Sequence, residues 1–124
     1  MKKLIYSLAL LVTMSSLGYA QEAENIVNSK GKAALISSKI SGEYDFTFAT
    51  ERTDESVEKA ASYYVKNFTV DFDASTNKAV VTMIENTVTS RTVLARFLSS
   101  NQVRYVEIDG TNVSISDFIQ SYLK

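Results

Sequence analysis

The chain contains neither cysteine nor histidine, and these two absences exclude more chemistry than any single residue present adds. Without cysteine there is no disulfide staple, so stability rests on packing alone. Nor is there a thiolate to grip a soft metal ion or to carry a lipid anchor. Without imidazole the usual nucleophile and base pairs are missing, and a hydrolase would need Ser with Lys or two carboxylates in a pocket, neither of which is signalled. Of the three methionines only Met83 lies beyond the first 20 residues, and the glycines there are Gly31, Gly42 and Gly110, too few and too scattered for a phosphate-cradling loop. Long apolar runs are also lacking: nothing approaches the roughly 20 residues that a membrane span requires. No cluster of basic residues exists either, since Arg52, Arg91, Arg96 and Arg104 are dispersed, which argues against nucleic acid and anionic membrane surfaces as partners.

What is present begins with an export pattern. Lys2 and Lys3 form a positive start, residues 4–12 an apolar stretch, and Gly18, Tyr19 and Ala20 a small-residue cleavage site. Residues 1–20 are therefore expected to be a signal peptide, leaving a domain of 104 residues that works in a periplasm or outside the cell, with no membrane attachment after cleavage. The leader takes two of the 13 basic residues and none of the acidic ones, so the remainder holds 11 basic residues against 14 acidic, a formal charge of −3.

Residues 21–42 mix charge, Ser and Asn with short apolar pieces and read as a linker or a weak helix. From residue 43 the signals sharpen, and the domain is placed at 43–124. Tyr44, Phe46 and Phe48 alternate with polar neighbours as in a half-buried strand. Thr53, Asp54, Glu55 and Ser56 supply a helix start ahead of Val57, Ala60, Ala61 and Tyr64, with the helix expected to run to about Asn67. Phe68, Val70 and Phe72 alternate in a second strand, Ala74 to Asn77 make a turn, and residues 78–85 return as a third. A second helix follows the caps at residues 87–90, its stripe formed by Val93, Leu94, Phe97 and Leu98, with Arg91 and Arg96 expected in water. Residues 103–108 form a fourth strand, closed by Asp109 and Gly110. Residues 114–124 carry a further amphipathic helix behind Ser114.

The order predicts an α+β fold, a ferredoxin-like β-α-β-β-α-β sandwich with an antiparallel sheet and both helices on one face, plus the extra C-terminal helix. Val80 and Ile84 alternate with Val81 and Met83, so the sheet is expected to be apolar on both faces, with the tail helix covering the open one. The alternative is that this surface meets a partner.

Ser56-Val57-Glu58-Lys59-Ala60 and the strand-turn-strand segment of residues 68–82 resemble the heavy-metal-associated domain, the family of copper chaperones and of the N-terminal modules of copper-transporting ATPases. The resemblance spans residue 46 to about residue 110. It implies a metal loop of the form G-M-T-C-x-x-C before the first helix. In this chain the two cysteine positions fall on Thr50 and Thr53, with Glu51 and Arg52 between them, and the methionine position falls on Phe48. Threonine hydroxyls stay neutral and cannot replace thiolates, so no metal ligand or cofactor carries over.

Two other groupings are weighed. Asp71, Asp73, Ser75 and Asn77 have the spacing of a calcium loop, but Thr76 and Thr82 stand where it needs Gly and an acid, and a hairpin turn with solvated acids is the simpler reading. Asp54, Glu55 and Glu58 complement the dipole of a helix start. The function expected is a non-enzymatic binding or interaction module of the heavy-metal-associated type that has lost its metal ligands, with an unknown protein or ligand as partner. The alternative is metal handling through carboxylates or a partner's ligands, and a glycan-binding role rests on fold analogy alone.

Overall fold

The computed structural model describes residues 25–124, so the export segment and residues 21–24 lie outside the described residues. The fold is α+β, built on a six-stranded mixed sheet. In chain order the elements are β1 (Ile26–Asn28), α1 (Lys32–Ser41), β2 (Glu43–Phe48), α2 (Asp54–Ser62), β3 (Phe68–Asp73), β4 (Lys78–Met83), α3 (Val88–Ser100), β5 (Tyr105–Ile108), β6 (Thr111–Ser114) and α4 (Ile115–Phe118), which passes into a π-helical turn at Ile119–Leu123. The strands lie in the order β3-β4-β2-β1-β5-β6.

The sheet is not purely antiparallel as expected. The strand responsible comes from the segment read as a linker or a weak helix: β1 pairs antiparallel with β2 and parallel with β5, Val27 standing opposite both Phe48 and Val106. Three residues cannot display a period-2 pattern, yet pairing on both sides buries Val27 completely. The rest of that segment is a true helix, in which Leu35 is buried. Its first turn is satisfied from a distance, because Asp109 Oδ2 accepts from the backbone N–H of Lys32 at 3.1 Å. Gly31, at φ 104°, permits that approach: a Cβ there would lie 2.3 Å from Asp109 Oδ1.

Strand registry places the apolar side chains on one face. Phe46 stands opposite Ala79, Tyr44 opposite Val81, and Phe68 opposite Met83. Over that face α3 brings Phe97, edge-on to Phe68 at 5.8 Å, and α4 brings Phe118, edge-on to Phe46 at 6.2 Å. The tail thus joins the other helices over a single core instead of covering the second face. That second face needs no cover: Thr69, Asp71, Asp73 and Thr82 are exposed, Val80 is half-buried, and Ile84 is exposed just beyond the strand.

Other boundaries moved for local reasons. Helix α2 stops at Ser62 and not near Asn67, as a chain of tight turns through residues 63–67 lets Tyr64 stack on Phe68 at 5.8 Å. The fourth strand continues through Asp109 and Gly110, both at positive φ, into β6. This is the two-residue hairpin turn that an Asp-Gly pair favours. Among the described residues no helix is long and apolar enough to cross a membrane.

Candidate functional site

Two groupings of polar side chains bear on a candidate site: the loop of residues 50–53 and a groove between α1 and the C-terminal turn.

The loop is closed upon itself. Asn77, in the left-handed region at φ 60°, donates its amide to the carbonyls of Phe48 and Thr50 at 2.8 and 2.6 Å and accepts from the Arg52 N–H at 3.0 Å. The Arg52 guanidinium turns back to the hydroxyl and carbonyl of Thr50. It also donates to the carbonyl of Asn101, the residue that ends α3, at 3.2 Å from Nη2, a cation at a helix C-terminus where the dipole favours it. Its carbon lies 5.2 Å from the Phe48 ring centroid. Thr53 caps α2, its hydroxyl accepting from the Ser56 N–H at 3.1 Å. Glu51 is exposed. Both threonines that the resemblance sets at cysteine positions are therefore engaged within the fold, Thr50 by Arg52 and Thr53 by the start of α2.

The calcium-like spacing does not converge on a point. The Asp73 carboxylate accepts from both the N–H and the hydroxyl of Ser75, at 2.9 and 2.6 Å, and these bonds hold its pKa below the usual carboxylate value. Asn77 faces the other way, into the loop. Among the described residues no group of three or more Asp, Glu, His or Cys side chains is placed to hold a metal ion.

The groove is built differently. Its walls are Leu35, Ile36, Lys39 and Ile40 of α1 and Ser121 and Tyr122 of the tail, with Asn86 and Arg91 contributed from the start of α3, around a volume of about 540 Å³. One polar chain ties the walls together. Asn86 donates to the Lys39 carbonyl at 2.7 Å, and Arg91 Nη1 donates to the Asn86 carbonyl and side-chain oxygen at 2.9 and 3.0 Å. Arg91 Nε donates to the Leu123 carbonyl at 2.8 Å.

Arg91 was expected in water and is instead 8% exposed. The signal was available, because Arg91, Leu94, Ala95 and Leu98 stand at i, i+3, i+4 and i+7, the buried stripe of α3. Every bond its guanidinium makes is to a neutral oxygen. The only ion pair among the described residues is Lys30 with Asp45, elsewhere on the surface. Nη2 of Arg91 has no hydrogen-bond partner among the described residues. Beneath lies Tyr44, 1% exposed, whose hydroxyl is also unpartnered among the described residues; burial pushes its pKa up, with the Arg91 charge opposing. Above, Ile36 and Ile40 are 53% and 81% exposed, so an apolar rim stands open to solvent over a buried cation.

No protein-family model, no curated protein and no solved structure matches this chain.

Proposed function

We propose that the chain is an exported, non-enzymatic binding module whose binding surface is the groove between α1 and the C-terminal turn. The observation that carries this reading is the buried Arg91 guanidinium at the base of an apolar-walled groove, with no ion pair to a carboxylate among the described residues. A charge removed from water is costly unless paired, and a concave apolar surface with a few convergent polar groups is the usual form of a ligand site. The absence of His and Cys, and of any group of three or more Asp or Glu side chains placed together among the described residues, favours binding over catalysis.

The scaffold is proposed as a ferredoxin-like, heavy-metal-associated type with one strand interpolated. With β1 and the edge strand β6 set aside, the remaining strands run β3-β4-β2-β5, as a β-α-β-β-α-β unit orders them, and on that reading residues 50–53 are the former metal loop, whose polar groups now serve the fold. Nothing on that loop favours the alternative of metal handling.

The exported protein titrated with Nile red, a neutral apolar dye, tests the reading. Dye fluorescence is expected to rise with one site per chain and to be lost in Ile36→Asp and Ile40→Asp, which alter exposed side chains and leave the fold intact. Unchanged dye binding in both variants, or one equivalent of copper or zinc retained through dialysis, would overturn it.

A further inference from the structure

This inference rests on the groove being the binding surface and assigns its ligand. The geometry points to an aliphatic monocarboxylate, its carboxylate held by Arg91 Nη2 and its chain laid along Leu35, Ile36, Ile40 and Tyr122. Three observations converge on that class.

The first is charge. Arg91 is held by three neutral oxygens, which fix its plane but leave its charge uncompensated. An anion arriving in surroundings of low dielectric is attracted more strongly than it would be in water. A carboxylate also matches the guanidinium's N–H donors, in a bond roughly twice as strong as a neutral one. Lys39 on the rim adds a second positive charge, its amine making no hydrogen bond among the described residues.

The second is the number of donors. One unoccupied guanidinium nitrogen, one amine and the Ser121 hydroxyl suit a head group of two oxygens and a single charge.

The third is the wall chemistry. Two isoleucines, a leucine and a tyrosine ring form the sides, and the isoleucines are held in contact with water. Covering them with a hydrocarbon chain removes that exposed surface at about 0.8 kcal/mol per methylene, or about fourfold in affinity. The polar tie from α1 through Asn86 and Arg91 to Leu123 fixes the walls before the ligand arrives, so little ordering is required on binding.

Calorimetry with octanoate and decanoate, each below its aggregation concentration, tests the assignment against 1-decanol and decyltrimethylammonium. Decanoate is expected to bind at one site, about fourfold tighter per methylene than octanoate, and at least about tenfold tighter than decanol, the factor a charge-assisted bond supplies. Arg91→Met should erase the preference for acid over alcohol. Because Arg91 also secures Asn86 and Leu123, Lys39→Glu serves as the second variant and should weaken decanoate severalfold more than it weakens decanol, whose head group carries no charge. Equal affinity for acid and alcohol, no effect of Lys39→Glu, or displacement of decanoate by an equal concentration of a peptide with a free apolar C-terminus would overturn the assignment. If Nile red still binds in such a case, only the ligand class has failed. If it does not, the groove itself has.

Discussion

The loop of residues 50–53 and the groove around Arg91 each centre on an arginine, and the two arginines are held in opposite ways. Arg52 is half-exposed and folded back onto its own loop and the end of α3, beneath which Asn77 satisfies three backbone groups. Arg91 is buried, bound only to neutral oxygens, with one nitrogen turned to no partner among the described residues and an open apolar rim above it. A polar cluster whose donors and acceptors are spent on one another is part of the fold. One that keeps a donor unspent at the base of a concave surface has something left for a ligand. The position that a family resemblance nominates and the position that physical chemistry nominates therefore differ, and the second has the stronger claim to binding.

The largest expected effect falls on the tail, since the groove depends on it for one wall. Phe118 is fully buried against Phe46, and Phe118→Ala should lower stability by about 3–5 kcal/mol, read as a shifted urea midpoint, and abolish Nile red binding with it. Next comes the loop. Asn77→Ala removes three hydrogen bonds and leaves a β-carbon-bearing residue at φ 60°, and should cost about 3 kcal/mol without altering ligand affinity in the protein that remains folded. A change in ligand affinity there would erase the distinction between the two regions.

Smaller effects sharpen the comparison. The Tyr44 hydroxyl beneath the groove has no partner among the described residues, so Tyr44→Phe should stabilise the protein by about 1 kcal/mol. Its pH dependence follows from the raised pKa of Tyr44. The folded state keeps the phenol proton at pH values where the unfolded chain, titrating near 10, has lost it. The stability this contributes is complete below about pH 10 and declines as pH rises from there through the folded value. Alkaline unfolding should accordingly set in at lower pH in the parent protein than in Tyr44→Phe, and coincident curves would contradict the placement of that hydroxyl. Least of all, Thr53→Ala should cost about 1 kcal/mol, the worth of a helix cap, with no consequence for binding.

Much of the scaffold was legible in the sequence, where signals were local. The alternation of Tyr44, Phe46 and Phe48, the caps at Thr53, Thr87 and Ser114, and the turn closed by Asn77 each act within a few residues, and each stands where its pattern placed it. What escaped depends on distant partners. Strand β1 is held by β2 and β5, so its three residues carry no pattern of their own. Strand β6 was announced only by Asp109 and Gly110, a turn that reads equally well as the end of a strand. The groove escaped for a different reason. Arg91 lay in plain view on the apolar stripe of α3, but a charged side chain at such a spacing is ordinarily taken to reach water, and only the folded chain shows the Leu123 and Asn86 oxygens that receive it. Lys39, Ile36 and Ile40 sit on a helix whose weak periodicity concealed it.

Nuclear magnetic resonance of the purified protein titrated with decanoate tests the central claim most directly. The account predicts the largest shift changes at the backbone amides of Ile36, Ile40, Ser121 and Tyr122 and at the Arg91 Nε–H, with Glu51, Arg52 and Thr53 unmoved. Changes concentrated in residues 50–53, with the groove silent, would contradict it.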